Sequence, residues 1–314
     1  MSTSTNPLYP SILAPLDGVI KAIPQTELCK GVILRNLEPS EISSLNQILG
    51  ADQKFGFGLG ELPPEIVCLE AQLPSQEPSE SQEEAWDRHH IHVRETGGGL
   101  IHRGITILRL TQAGPVGSRL AIAPLAETIP SAYTLAQIGY IPAVRRPKYP
   151  QSYTINSDTL AEIRSLFGEY WNKDLESVPG IRWLNKAYFE LNNDDRLAHL
   201  VFGLEQLLLR GENERSYLSF KMALRGAWML EPPSQSRVQR FRQLRDGYNL
   251  RSSVAHGNLM RELNDEELEL TTELEEALRK LIRMYLKNPG RFQAAVLNRL
   301  TLGVEETPTE DPEA

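Results

Sequence analysis

Leu204-Glu205-Gln206-Leu207-Leu208-Leu209 closes a stripe made by Leu197, Leu200, Val201, Leu204, Leu207 and Leu208. Apolar residues at such spacings follow the 3.6-residue period of a helix with one broad buried face. Asp194 or Asp195 is placed to open this helix, and Gly211 to stop it. The same period runs on either side. Leu160, Ile163, Phe167 and Tyr170 share a face behind Ser157 or Asp158 as cap. Tyr217, Phe220, Leu224, Ala227 and Leu230 mark a further helix ended by Pro232-Pro233, and Phe241, Leu244 and Tyr248 define the one after it. Asn264, with Glu267 three residues on, forms a capping pair for a long helix through Leu268, Thr271, Leu274, Leu278, Leu281 and Tyr285. Several antiparallel helices with short connections predict a bundle over residues 155–300.

Residues 1–150 read differently. Gly31-Val32-Ile33-Leu34, Glu65-Ile66-Val67-Cys68-Leu69, Ile105-Thr106-Ile107-Leu108-Arg109-Leu110 and Arg119-Leu120-Ala121-Ile122-Ala123 are short runs rich in β-branched residues, which predict strands. Residues 74–84 have little to bury and read as a solvated loop. Gly97-Gly98-Gly99 reads as a turn between strands, without the lysine of a phosphate-binding loop. Residues 142–150 carry three prolines and the basic run Arg145-Arg146-Pro147-Lys148, the expected linker. The predicted class is therefore α+β: a β-rich domain over 1–150, a helical bundle over 155–300, and an acidic, disordered tail over 301–314.

Composition narrows the function. The 314 residues have a formal net charge of −8, yet residues 155–300 hold 21 basic and 21 acidic side chains. A neutral bundle lacks the clustered basic surface of a general nucleic-acid binder, so any RNA recognition is local. No run approaches a membrane span, and the N-terminus has no basic-then-apolar signal pattern. Cys29 and Cys68 are too few for a disulfide framework. These features predict a cytoplasmic protein that acts away from membranes. Among the histidines, His90 and His92 would share one face of a strand and could bind zinc with His102 or Cys68. No fourth ligand stands at motif spacing, so the cluster is read as a polar strand face, with neither metal nor cofactor expected.

The chemistry-bearing stretch is Arg251-Ser252-Ser253-Val254-Ala255-His256-Gly257, behind Arg237, Arg240, Arg242 and Arg245. A guanidinium can hold a scissile phosphate while an imidazole moves the proton of a 2′-hydroxyl or leaving group. On a helical wheel Arg237, Arg240 and Arg251 fall within about 60°, beside Tyr248, whose ring can stack on a base. His256 points about 140° away from Arg251. Bringing the two together requires the helix to unwind, the arginine to bend across, or a second subunit to complete the site. The plainer readings are a salt bridge from Arg251 to Glu205, a histidine that caps the last carbonyls, and a solvated arginine face.

Three blocks in order, namely Leu204 to Leu209, Asn213 to Arg225 and Gly247-Tyr248-Asn249-Leu250-Arg251-Ser252-Ser253-Val254-Ala255-His256-Gly257, resemble a HEPN domain of the Apea-like branch. The resemblance covers the C-terminal half only. It implies an all-α bundle that dimerises so that two Arg and two His line one cleft, and a metal-independent endoribonuclease with Arg251, Ser252 and His256 as catalytic residues. Ser252 stands where many active members carry Asn, Asp or His. RNA is the implied substrate, with Arg237, Arg240 and Tyr248 as RNA-binding residues, and defence against phage is the implied setting. The alternative is a non-catalytic dimerisation module in which Arg251 and His256 only hold the helix end.

Overall fold

The structure is a computed structural model that describes residues 11–16, 19–20, 25–43, 45–46, 65–74, 84, 87–88, 91–118, 120–124, 133–137, 153–190, 192–212, 216–257 and 261–302. The linker expected over 142–150, and all of the acidic tail but Thr301 and Leu302, lie outside the described residues, as do residues 75–83 of the expected loop. The protein is α+β, as its patterning predicts, and divides into two compact units, residues 1–173 and 174–314.

The first unit is built on a six-stranded sheet. Its strands are β1 (Ser11–Pro15), β3 (Thr26–Cys29), β4 (Val32–Asn36), β5 (Val67–Gln72), β6 (Leu120–Pro124) and β7 (Tyr133–Gln137), in the order β3-β4-β5-β1-β6-β7. Every neighbouring pair is antiparallel. The strands expected around Val32, Val67 and Ala121 are present. β1, which no reading of the pattern anticipated, lies at the centre with all five residues buried. β2 (Val19–Ile20) and β8 (Tyr153–Thr154) form a separate parallel pair.

Ile105–Leu110 is not a strand. These residues belong to helix α1 (Gly98–Thr111), entered through a π-helical turn at Val93–Gly97. The glycine triplet is therefore helical backbone and not a turn. The reason is packing: residues 104–111 are buried on every side, Thr106, Arg109 and Thr111 included, so no polar face marks a 3.6-residue period to set the helix apart from a strand. Gly104 lets α1 lie close on the sheet, since a Cβ there would come within 2.4 Å of Leu69. Tyr153 donates to the Leu108 carbonyl at 2.8 Å, and the buried Arg109 donates through Nε to Val116 O at 3.1 Å.

Helix α2 (Ser157–Tyr170) begins with a capping box in which Asn156, rather than Ser157 or Asp158, accepts from the backbone while Thr159 answers. It packs against α1 and β3. The helix expected to open the bundle thus belongs to the first unit, and the boundary falls after Lys173 rather than near 150–155.

The second unit is a helical bundle of α3 (Ile181–Ala187), α4 (Asn193–Leu208), α5 (Leu218–Leu230), α6 (Gln235–Ala255), α7 (Asp265–Lys287) and α8 (Ala294–Thr301). The full leucine stripe of α4 is buried, as its spacing requires. α7 opens on the expected Asn264–Glu267 capping box and buries Leu268, Thr271, Leu274, Leu278 and Leu281. α5 differs from expectation. It buries Met222, Ala223, Arg225, Gly226, Ala227 and Met229, while Tyr217 and Phe220 are 78% and 47% exposed. An arginine and a glycine on the buried side displaced the apparent apolar face.

Two polar networks tie this unit together. Glu275 on α7 accepts from Tyr188 Oη at 2.8 Å and from Arg279 Nη2 at 2.6 Å, and it pairs with Arg196 of α4. Burial alone would raise this carboxyl, but the two guanidinium charges outweigh it and hold the pKa at about 2. Arg225, also buried, donates to Leu208 O at 2.9 Å, Glu212 at 2.9 Å, Asn298 at 2.7 Å, Leu297 O at 3.1 Å and Thr301 at 2.9 Å. It locks α8 onto α5 and the end of α4, so Thr301 is a structural residue and not part of a free tail.

Candidate active site

α6 carries the site and ends just past it. His256 N donates to Ser252 O and Gly257 N to Val254 O, each at 3.0 Å. Gly257 has φ +68°, the left-handed conformation that closes a helix and suits glycine. The cap leaves His256 exposed at the helix end. Among the described residues His256 makes no side-chain hydrogen bond or ion pair, so it does not cap the carbonyls through its ring.

Arg251 lies one turn deeper, with its side chain 20% exposed. Its Cζ stands 4.4 Å from the centre of the Phe202 ring of α4, a cation–π contact. Its Nη2 is 3.9 Å from Glu205 Oε2, too long for a hydrogen bond. The expected partner is therefore present as a charge neighbour rather than as a bonded salt bridge. Arg251 Nε is enclosed and has no hydrogen-bond partner among the described residues. Burial raises the Glu205 carboxyl and the Arg251 charge opposes the rise. Burial, then the Glu205 charge, raises the Tyr248 hydroxyl, again against Arg251. Tyr248, Glu205, Arg251 and Phe202 thus form one half-buried group. Ser252 sits beside it, half-buried, with no side-chain hydrogen bond among the described residues.

The arginine strip does not join this group. Arg237 precedes Arg251 by 14 residues, about 21 Å along a helix axis. Its guanidinium lies 4.0 Å over the Trp228 ring, and Nε donates to Glu231 O at 3.0 Å. Arg240 donates to Glu273 at 2.9 Å and reaches Glu231 at 3.4 Å. Both are used to hold α6 against its neighbours. Arg245 lies 3.5 Å from Asp246 and stacks over Phe241, while Arg242 is exposed.

The histidine cluster does not form a metal centre among the described residues. His92 and His102 lie on helical backbone rather than on a strand face, and His92 Nε2 is 3.1 Å from Pro74 O. Cys68 is fully buried in β5, and that burial pushes its thiol up. His90 lies outside the described residues.

Phe202 had drawn no notice in the sequence, nor had its neighbours His199 on α4 and Trp183 on α3. Their signal was spacing: His199 and Phe202 stand three apart, off the leucine stripe, and so share a face. Comparison of the chain with family models, with curated proteins and with solved structures gives no match.

Proposed function

We propose that this protein is a metal-independent endoribonuclease of HEPN type, active as a homodimer. The observation that carries the reading is Arg251: an enclosed guanidinium whose Nε lacks an acceptor, one turn before an exposed histidine. The exposed part of the Arg251 side chain is where a scissile phosphate would bind. His256, in its neutral form, takes the 2′-hydroxyl proton. The 2′-oxygen bonds to phosphorus as the bond to the 5′-oxygen breaks, and Arg251 stabilises the charge that develops. The leaving oxygen takes a proton from the imidazolium of a second copy or from water, giving a 2′,3′-cyclic phosphate and a 5′-hydroxyl. Ser252 orients the phosphate. The first unit serves as a sensor or specificity module, and phage defence is the setting that the family resemblance favours.

Incubation with labelled tRNA and single-stranded RNA in EDTA tests this. Cleavage is expected, with cyclic-phosphate ends, and should be lost in Arg251→Ala and in His256→Ala. Mixing the two inactive variants should restore part of the activity where Arg and His of one site come from different copies. RNA left intact by the wild-type protein favours the second reading, a dimerisation module. The internal engagement of Arg237 and Arg240 supports that reading, as do the exposed Phe220 and Val238 on neighbouring helices.

A further inference from the structure

We infer that Trp183, His199 and Phe202 form a base-stacking platform for single-stranded RNA that leads to Arg251. The Trp183 ring centre lies 5.5 Å from that of His199, with 27° between the planes, and 5.0 Å from that of Phe202. All three rings are half-buried, so each is fixed by the bundle and still presents surface to solvent. The core of α4 does not need them, since its leucine stripe faces elsewhere.

Cations surround the rings. Lys186 Nζ is 5.0 Å and Arg182 Cζ 5.7 Å from the Trp183 ring centre, while Arg251 stands 4.4 Å over Phe202. Two acids also border the group. Glu190 approaches His199 Nδ1 at 3.2 Å but off the line of a hydrogen bond, leaving that nitrogen unpartnered among the described residues. Glu205 faces Arg251. Phe202 is tilted by 45° to Trp183, and the cations lie over ring faces. Such an interleaving of aromatic and basic side chains binds bases by stacking and phosphates by charge, without reading sequence. A base on this platform would place its phosphate beside the part of Arg251 that remains exposed. Duplex RNA hides its base faces and would gain nothing here. A protein ligand is less favoured, because its carboxylates match the charge of a phosphate but do not alternate with planar base faces as a single strand does.

The role given to Arg251 rests on the endoribonuclease reading, but the platform is tested by binding alone. The full-length His256→Ala protein in EDTA is titrated into a fluorescein-labelled oligoadenylate of about 12 nucleotides, beside a duplex of the same length. Adding Trp183→Ala should weaken single-strand binding by roughly 5- to 100-fold, the contribution of about one stacked base. Trp183→Phe should retain affinity within about threefold, because phenylalanine also stacks. The oligonucleotide should quench tryptophan fluorescence in the parent and not in Trp183→Phe. If Trp183→Ala fails to fold, the half-buried rim variant Lys186→Glu is read instead, with a loss of roughly tenfold expected. Unchanged binding in the variants, equal affinity for duplex, no RNA binding by the parent, or an effect confined to self-association would each overturn the platform. Trp183-dependent binding without cleavage by the wild-type protein would leave the platform and remove the nuclease. Cleavage with Trp183-independent binding would do the reverse.

Discussion

Arg225 and Arg251 stand in one bundle and are used in opposite ways. Arg225 is buried between α5, α8 and the end of α4, and all three of its nitrogens donate within the chain. Arg251, near the end of α6, stacks on one ring, sits 3.9 Å from one carboxylate, and keeps Nε without an acceptor among the described residues. A buried guanidinium with every nitrogen engaged inside the chain fixes structure and has little left to offer a ligand. One that is held in place, incompletely bonded and still 20% exposed has donors left for an anion from outside. The Glu275 network belongs with Arg225 in being buried, with its charges paired inside the bundle through Glu275 and Glu276.

The largest effect should come from that closed class. Glu275→Gln removes the buried carboxylate that Arg196 and Arg279 share, leaving Arg279 with Glu276, and should cost about 3–5 kcal/mol in urea unfolding. The pH dependence follows from the same carboxyl. Its folded pKa of about 2 lies below the ordinary 4.5, so its stabilisation is present above about pH 4.5 and is lost as pH falls toward 2. Glu275→Gln should flatten the stability profile across that window. Arg225→Met should cost about 3 kcal/mol and free α8, read as faster amide exchange over residues 294–301. Gly257→Ala forces a side chain into the left-handed region and should cost about 1–2 kcal/mol, by thermal melting. Arg251→Ala should be the mildest, less than about 1 kcal/mol, because a long, part-exposed ion pair contributes little. A loss of several kcal/mol at Arg251 would erase the contrast with Arg225.

The sequence was legible where one face meets the core and the other meets water. The α4 stripe from Leu197 to Leu208 and the Asn264–Glu267 cap of α7 are of that kind, and both stand as read. It misled where that contrast fails. Ile105–Leu110 is buried on all sides, so period carries no information and β-branched content suggested a strand. On α5 the buried face includes Arg225, a residue that pattern alone assigns to solvent. At the candidate site, the positions of Arg251 and His256 on one helix end could be read from spacing. Their surroundings could not, because Phe202 and Glu205 come from another helix. The aromatic group of Trp183, His199 and Phe202 exists only once α3 packs on α4. The internal contacts of the arginine strip were hidden for a related reason: Trp228, Glu231 and Glu273, which engage Arg237 and Arg240, lie on other parts of the chain.

The most direct test is RNA cleavage in EDTA by His256→Ala, at a temperature where its melting curve shows it folded. An exposed side chain without bonded partners among the described residues should melt within about 0.5 kcal/mol of wild type. The account predicts that this folded variant no longer cuts RNA that the wild-type protein cleaves. Undiminished cleavage by His256→Ala, or a drop in melting of many degrees in its place, would contradict the assignment of this helix end to catalysis.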